Sequence, residues 1–250
     1  MAEILLAGYI EILNNNKMNY LHANMNIWLI FIAFMVLSWI VSSVLKSKFR
    51  KYAKVAVDNG MTGKEIAEKM LHDNGIYDVK VQSVQGMLTD HYNPENKTIN
   101  LSQEVFGSKS IAAAAVAAHE TGHAVQHAAA YAWLGLRSKL VPPVSISSRY
   151  VQWILLLGVL VVNTFPALLL AGIILFALTT LFTFITLPVE INASHRALVW
   201  LSSAGITSSR NHDMAKDALK WAAYTYVVAA LGSLATLLYY IMIFAGGSRR

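Results

Sequence analysis

Tyr150 to Val189 reads YVQWILLLGVLVVNTFPALLLAGIILFALTTLFTFITLPV, forty consecutive residues without Asp, Glu, Lys or Arg. A membrane-spanning helix needs about 20 apolar residues, so this stretch is long enough for two. Asn163-Thr164-Phe165-Pro166 interrupts it with residue types that mark turns. The stretch therefore predicts two spanning helices joined by a tight turn.

Two further stretches without charged side chains, residues 27–45 and 221–245, are each long enough for one more spanning helix. The chain has 56% hydrophobic and only 14% charged residues, whereas soluble domains have about 25% charged residues. We therefore expect a mainly α-helical integral membrane protein with four transmembrane helices: one at 27–45, two in a hairpin at 144–187, and one at 221–245.

The basic residues predict how these helices are oriented. Residues 1–26 contain one Lys and two Glu, whereas five basic residues directly follow the first span: Lys46, Lys48, Arg50, Lys51 and Lys54. Positively charged flanks stay in the cytoplasm. We expect residues 46–143 and 188–220 to be cytoplasmic. The extension 1–26 lacks a basic start, which predicts a retained anchor at 27–45 rather than a cleaved signal.

The charge and the cysteine count exclude other classes of protein. The net charge is +6, but the basic residues lie beside the apolar segments, so nucleic acid is not an expected partner. The chain has no cysteine, so any bound zinc must be held by histidine and carboxylate side chains.

The pentad His119-Glu120-Thr121-Gly122-His123 follows an alanine-rich run, 111–118, with Ser110 available as a helix N-cap. Inside a helix, side chains four residues apart lie about 5–6 Å apart at Cβ, so both imidazoles can bind one metal ion. Glu120 is then placed to take a proton from a water molecule. The alternative is a coincidental pair of partly buried histidines.

A catalytic zinc needs a third protein ligand. His127 lies eight residues, or about 12 Å along a helix, from His119, which is too far to share the ion; we expect it to support the site or to pack. Glu190 is the better candidate because two spans return it to the side of His119. It follows Pro188, and we expect it to open a helix, where an acidic residue is also common without any metal. Ser194, one turn later, would then hydrogen-bond a ligating histidine.

Residues 46–143 predict a small α+β domain. Thr62 to Glu65 is a capping box that opens a helix to about Asp73, and Gly75 stops it. Residues 79–81, 87–92 and 98–101 look extended, with a turn at 93–96. A sheet edge beside the metal helix would let an extended peptide pair with it.

Three blocks of sequence, LTDHYNP (88–94), HETGHAVQH (119–127) and LPVEINASHRAL (187–198), resemble the YugP-type membrane zinc metallopeptidases of bacteria from about Lys46 onward. The resemblance implies a peptidase of the bacterial inner or plasma membrane, with His119 and His123 as ligands and Glu120 as catalytic base. The chain is more distantly similar to the gluzincin-like HtpX and prenyl-protein proteases. They place an Asp where Ser194 stands here, and an Arg or another polar residue is expected at His195.

We therefore expect a membrane-bound endopeptidase with one zinc ion per chain at its cytoplasmic face, acting on membrane-associated proteins or peptides. His91, Tyr92, His195 and Arg196 are candidate donors to a developing oxyanion. A non-catalytic scaffold or adaptor with a structural or regulatory zinc remains the alternative. An intramembrane protease is disfavoured because the later spans have no Asp. A transporter is disfavoured because the apolar stretches 27–45, 150–189 and 221–245 contain no Asp, Glu, Lys, Arg or His.

Overall fold

The computed structural model describes residues 29–247, so the predicted extension 1–26 and the start of the first predicted span lie outside it. The helices, in chain order, are α1 (Leu29–Tyr52), α2 (Gly63–Asp73), α3 (Gln103–Phe106), α4 (Ile111–Ala128), α5 (Ala132–Leu160), α6 (Pro166–Ser203) and α7 (Ser209–Gly247). The strands are β1 (Lys80–Val84), β2 (His91–Asn93) and β3 (Thr98–Ser102). They form a sheet in the order β1-β3-β2, with β1 parallel and β2 antiparallel to β3.

Four of these helices, α1, α5, α6 and α7, are long and apolar enough to cross a membrane. The prediction of a mainly helical chain with four candidate spans and a small sheet is confirmed at this level. The predicted turn between the two central spans is also present, because α5 ends at Leu160 and α6 begins with Pro166 in its first turn. Proline fits there because its missing N–H would have no helical partner.

The helices extend well beyond the predicted spans. α1 continues through the basic residues to Tyr52, and α5 begins at Ala132 and contains Pro142 and Pro143. α7 begins at Ser209, twelve residues before the predicted span at 221–245. Each of these three helices continues into residues that are too polar, or too rich in proline, to be predicted from hydropathy as part of a membrane span.

The prediction that Glu190 opens a helix is wrong. α6 runs without interruption from Pro166 to Ser203 and contains Pro188, so Glu190 lies inside it. Val189, Ala193 and Ala197 are completely buried on one face of α6 just after this proline. Their packing offsets the hydrogen bond that a proline removes from a helix.

Residues 87–92 were expected to be extended, but only His91–Asn93 pair as a strand. Before them the chain turns through Gly86 and Leu88, whose φ angles are +104° and +57°. The predicted capping box and the predicted end of α2 are confirmed. Thr62 and Glu65 form both hydrogen bonds of the capping box, and Gly75 has positive φ where α2 ends.

α4 lies at the centre of the part of the chain between α1 and α5, and most of its residues are buried, including the whole run 111–118. Ser110 caps it by accepting a hydrogen bond from the N–H of Ala113, as predicted. At Gly122 the helix approaches α6 so closely that an added Cβ would lie 2.7 Å from the carbonyl oxygen of Ala193. This approach holds the middle of α6 against the helix that carries the two histidines.

Candidate metal centre

The structure brings three predicted metal ligands together. His119 and His123 lie one turn apart on α4, and Glu190 faces them from α6. Oε2 of Glu190 lies 3.3 Å from Nε2 of His119 and 3.6 Å from Nε2 of His123. One potential ligand atom from each residue lies within 4.8 Å of the others. Their role as zinc ligands stays a prediction, but the geometry it requires is present.

The donor set and its spacing fit zinc. Two imidazole nitrogens and a carboxylate oxygen are ligands that zinc prefers, and bonds of about 2.0–2.1 Å in a tetrahedron separate the ligand atoms by about 3.3 Å. Oε2 of Glu190 is buried and has no hydrogen-bond partner among residues 29–247. A buried, unpaired carboxylate oxygen is costly, and a cation bound at this point would offset that cost.

Gln126 fixes the orientation of His123. Its side-chain N–H donates to the carbonyl of Val189 at 2.8 Å and to Oδ1 of Asn192 at 3.0 Å, so its Oε1 must face the imidazole. Oε1 lies 3.0 Å from Nδ1 of His123 and can only accept a hydrogen bond. Nδ1 therefore carries the proton, and the lone pair on Nε2 points toward Glu190.

Ser194 supports the other histidine. Its hydroxyl lies 3.0 Å from Nδ1 of His119, one helical turn beyond Glu190, as the spacing predicted. The hydroxyl oxygen can accept a hydrogen bond from Nδ1–H of His119, just as the carbonyl oxygen of Gln126 accepts one from His123. Both imidazoles are thus held by a partner that leaves Nε2 free to bind a metal.

The charges around His123 favour its protonated form when no cation is bound. Burial alone would lower its pKa, but the carboxylates of Glu190 and Glu120 outweigh burial and raise the pKa above its ordinary value. The same negative potential attracts a metal cation, which competes with that proton.

Glu120 lies beside the three predicted ligands and lines two cavities with His119 and Glu190. The backbone N–H of Tyr92 donates to Oε2 of Glu120 at 3.1 Å. Because β2 pairs with β3 along its other edge, this N–H marks the edge of β2 that faces the site. The arrangement joins a carboxylate base, a metal-binding group and the edge of β2 in one cleft, and the N–H of Tyr92 on that edge is bonded to Glu120.

Sequence reasoning missed several residues of this site, Gln126 and Arg137 among them. Gln126 lies three residues after His123 and so shares its helix face, a spacing that was available as a signal. Arg137 on α5 lies with Nη2 at 4.0 Å from Oε1 of Glu190, and its buried Nε has no hydrogen-bond partner within the described residues. No pattern in the sequence connects Arg137 to a motif some fourteen residues earlier.

Other predicted residues lie farther from the ligands. His127 points away, with Nδ1 at 2.8 Å from the Tyr92 hydroxyl, which agrees with the expectation that it does not share the ion. His91 lines the cavity on one side, but its Nδ1 lies 2.8 Å from the carbonyl of Thr89. His195 is exposed, and Arg196 donates to Oδ1 of Asn192. Whether any of them donates to an oxyanion stays a prediction.

We expect Gln126→Leu to lower zinc affinity about 10- to 100-fold, as loss of a partner to a ligating histidine typically does. Thr121→Val is the matched control, since Thr121 is equally buried on α4 but donates only to the carbonyl of Ala117. Competition with a chromophoric chelator measures both affinities. Equal zinc affinity in Gln126→Leu and wild type would show that Gln126 does not orient a ligand.

The chain is similar to proteins that are described as zinc peptidases or membrane proteases. A family model described as "Putative neutral zinc metallopeptidase" matches residues 27–245. The chain is 44% identical over 216 residues to a protein of Bacillus subtilis (strain 168) named "Putative membrane protease YugP", covering 86% of this chain and 95% of that protein. No solved structure matches the chain. By the extent of both matches, the chain belongs to this family of zinc metallopeptidases.

Proposed function

We propose that the protein is a membrane-bound, zinc-dependent endopeptidase. The observation that carries the proposal is the convergence of His119, His123 and Glu190 on one point, with Glu120 beside them in an open cleft. The four long apolar helices and the membrane protease that the chain resembles support a location in the membrane. The proposed substrates are proteins or peptides that reach the membrane surface.

His119, His123 and Glu190 would hold one zinc ion per chain. Zinc bound there would act as a Lewis acid that polarises the substrate carbonyl and makes a water molecule more acidic. The partners described above can each accept a hydrogen bond from Nδ1 of a histidine, which leaves the Nε2 lone pair of a neutral imidazole for the metal. Gln126 is completely buried between α4 and α6, so solvent does not compete for its hydrogen bonds.

Glu120 is the proposed general base. As water attacks the carbonyl carbon, Glu120 takes one proton from the water and a C–O bond forms. Glu120 then gives that proton to the amide nitrogen as the C–N bond breaks, so the amine leaves neutral. The N–H of Tyr92 engages only one oxygen of this carboxylate and keeps it oriented toward the cleft.

Arg137 is the proposed stabiliser of the charge that develops on the carbonyl oxygen. Its guanidinium lines the same cavity of about 450 Å³ as Glu120 and the ligands. Its buried Nε lacks a partner among the described residues, so a donor is available. Donors that already point at a developing negative charge are among the largest contributors to catalysis.

The edge of β2 is the proposed place for the substrate backbone. His91, Tyr92 and Asn93 line the cavity, and β3 occupies only the opposite edge of their strand. A peptide that pairs with this edge would take the N–H of Tyr92 from Glu120 and would be held through its main chain, which tolerates many sequences. Such pairing brings a peptide bond beside Glu120.

Glu120→Gln tests the proposed chemistry. We expect one zinc per chain to remain while hydrolysis of β-casein falls about 10²- to 10⁴-fold, because only the proton transfer is lost. Glu190→Ala should lose both zinc and activity. Metal analysis and a casein assay on detergent-purified protein measure both quantities.

Glu68→Gln, an acidic residue of α2 that pairs with Lys64, is the control and should behave as wild type. Wild-type protein that holds zinc tightly but hydrolyses nothing would instead favour a scaffold with a structural or regulatory metal. Full activity in Glu120→Gln would contradict the role of this residue.

The proposed site faces the cytoplasm, and the absence of native cysteines makes this testable. Gln85→Cys places a single thiol in the exposed loop after β1, and Asn163→Cys places one in the exposed turn between α5 and α6. On intact spheroplasts, a membrane-impermeant maleimide should label the Asn163→Cys variant only. Labelling of the Gln85→Cys variant alone would reverse the proposed orientation.

A further inference from the structure

The cleft continues beyond the metal centre as an apolar trough. A cavity of about 140 Å³, which Arg137 does not line, is formed by His119, Glu120 and Glu190 together with Leu45, Phe49 and Leu88. Those three apolar side chains also line a second cavity of about 260 Å³. The two cavities therefore adjoin. We call the second one the apolar trough; its lining includes Leu45, Phe49, Ala53, Met87, Leu88 and Ala112.

The trough has room for a large side chain. A cavity of about 150 Å³ lined by aliphatic and aromatic groups is enough to bind benzene, so 260 Å³ holds a leucine, methionine or phenylalanine side chain. The smaller cavity, by contrast, lies directly beside Glu120. A peptide bond at Glu120 would thus place a neighbouring side chain at the entrance to the trough.

Met87 and Leu88 leave apolar surface exposed at the edge of the trough, at 68% and 55% of their accessible area. Leu88 adopts a φ of +57°, a conformation that is uncommon for residues with a branched side chain. The loop is held by the hydroxyl of Thr89, which donates to the carbonyls of Gln85 and Gly86. The backbone is thus fixed in a way that presents leucine to the trough.

The charges around the trough favour a peptide over an anionic lipid. Lys46 and Arg50 line it, but so do Asp90 and Glu104, so the positive and negative charges balance. A site for a lipid phosphate would carry an excess of basic side chains. Lys46 and Arg50 come directly after the uncharged part of α1, which places the trough near the predicted membrane surface.

We propose that the apolar trough is a specificity subsite that binds one large apolar side chain of the substrate, within a few residues of the cleaved bond. The proposal rests on the proposed peptidase function and adds the class of substrate to it. Substrates are then peptides that carry Leu, Phe or Met at one fixed position on one side of that bond.

Ala53→Trp tests this, because Ala53 is exposed and lies on the trough but does not line the cavity beside Glu120. Ala129→Trp, at an exposed alanine just after α4, is the matched control. Mass spectrometry of β-casein digests should show large apolar residues enriched at one position for wild type and control. In Ala53→Trp that enrichment should disappear, with kcat/KM for a matching peptide falling roughly 10- to 200-fold.

A peptide with Ser in place of that apolar residue should be cleaved equally by Ala53→Trp and wild type. Cleavage without any apolar preference, or an unchanged profile in Ala53→Trp, would overturn the proposal. Loss of a co-purifying lipid from Ala53→Trp with an unchanged profile would do the same and would assign the trough to lipid.

Binding separates this proposal from the peptidase function. Zinc-loaded Glu120→Gln protein, with and without Ala53→Trp, is titrated with a fluorescent Phe-containing peptide from casein and with its Phe→Ser counterpart. The Phe peptide should bind more tightly than its Ser counterpart, and Ala53→Trp should abolish that difference. This result supports the proposed subsite even if wild type hydrolyses nothing. Equal binding of both peptides overturns it even if wild type is an active peptidase.

Discussion

The site depends on one constraint, the close approach of α4 and α6 around a buried carboxylate. Gly122 leaves no side chain between its helix and the backbone at Ala193, and Gln126 joins the two helices through the carbonyl of Val189. Glu190 is only 3% exposed, and burying a carboxylate costs free energy unless positive charge or donors surround it. A cation bound there would therefore stabilise the packing that forms its own site.

The long helices α5 and α6 also carry residues of the candidate metal centre. α6 carries Glu190 in its interior, and its hairpin with α5 brings Arg137 to the same cleft. At Gly158 an added Cβ would lie 2.6 Å from Cα of Leu169, so the hairpin is as closely packed as the site. Ligands on long, packed helices are positioned more precisely than ligands on loops.

Local signals in the sequence predicted much of this arrangement. The capping box at Thr62, the N-cap at Ser110 and the turn before Pro166 each depend on neighbouring residues only, and all are present. Counting the predicted spans identified Glu190 as the candidate third ligand. The prediction that Glu190 opens a helix was wrong, because tertiary packing lets α6 continue through Pro188. Arg137 was missed because only the folded hairpin brings it to the site.

The proposed function requires that His119, His123 and Glu190 together bind one zinc ion. An anomalous difference map at the zinc absorption edge, from crystals of the zinc-loaded wild-type protein, locates that ion. We expect one strong peak per chain, about 2.0–2.2 Å from Nε2 of both histidines and from a carboxylate oxygen of Glu190. A peak bound by other side chains, or one that Glu190 does not contact, would show that these three residues do not form the site.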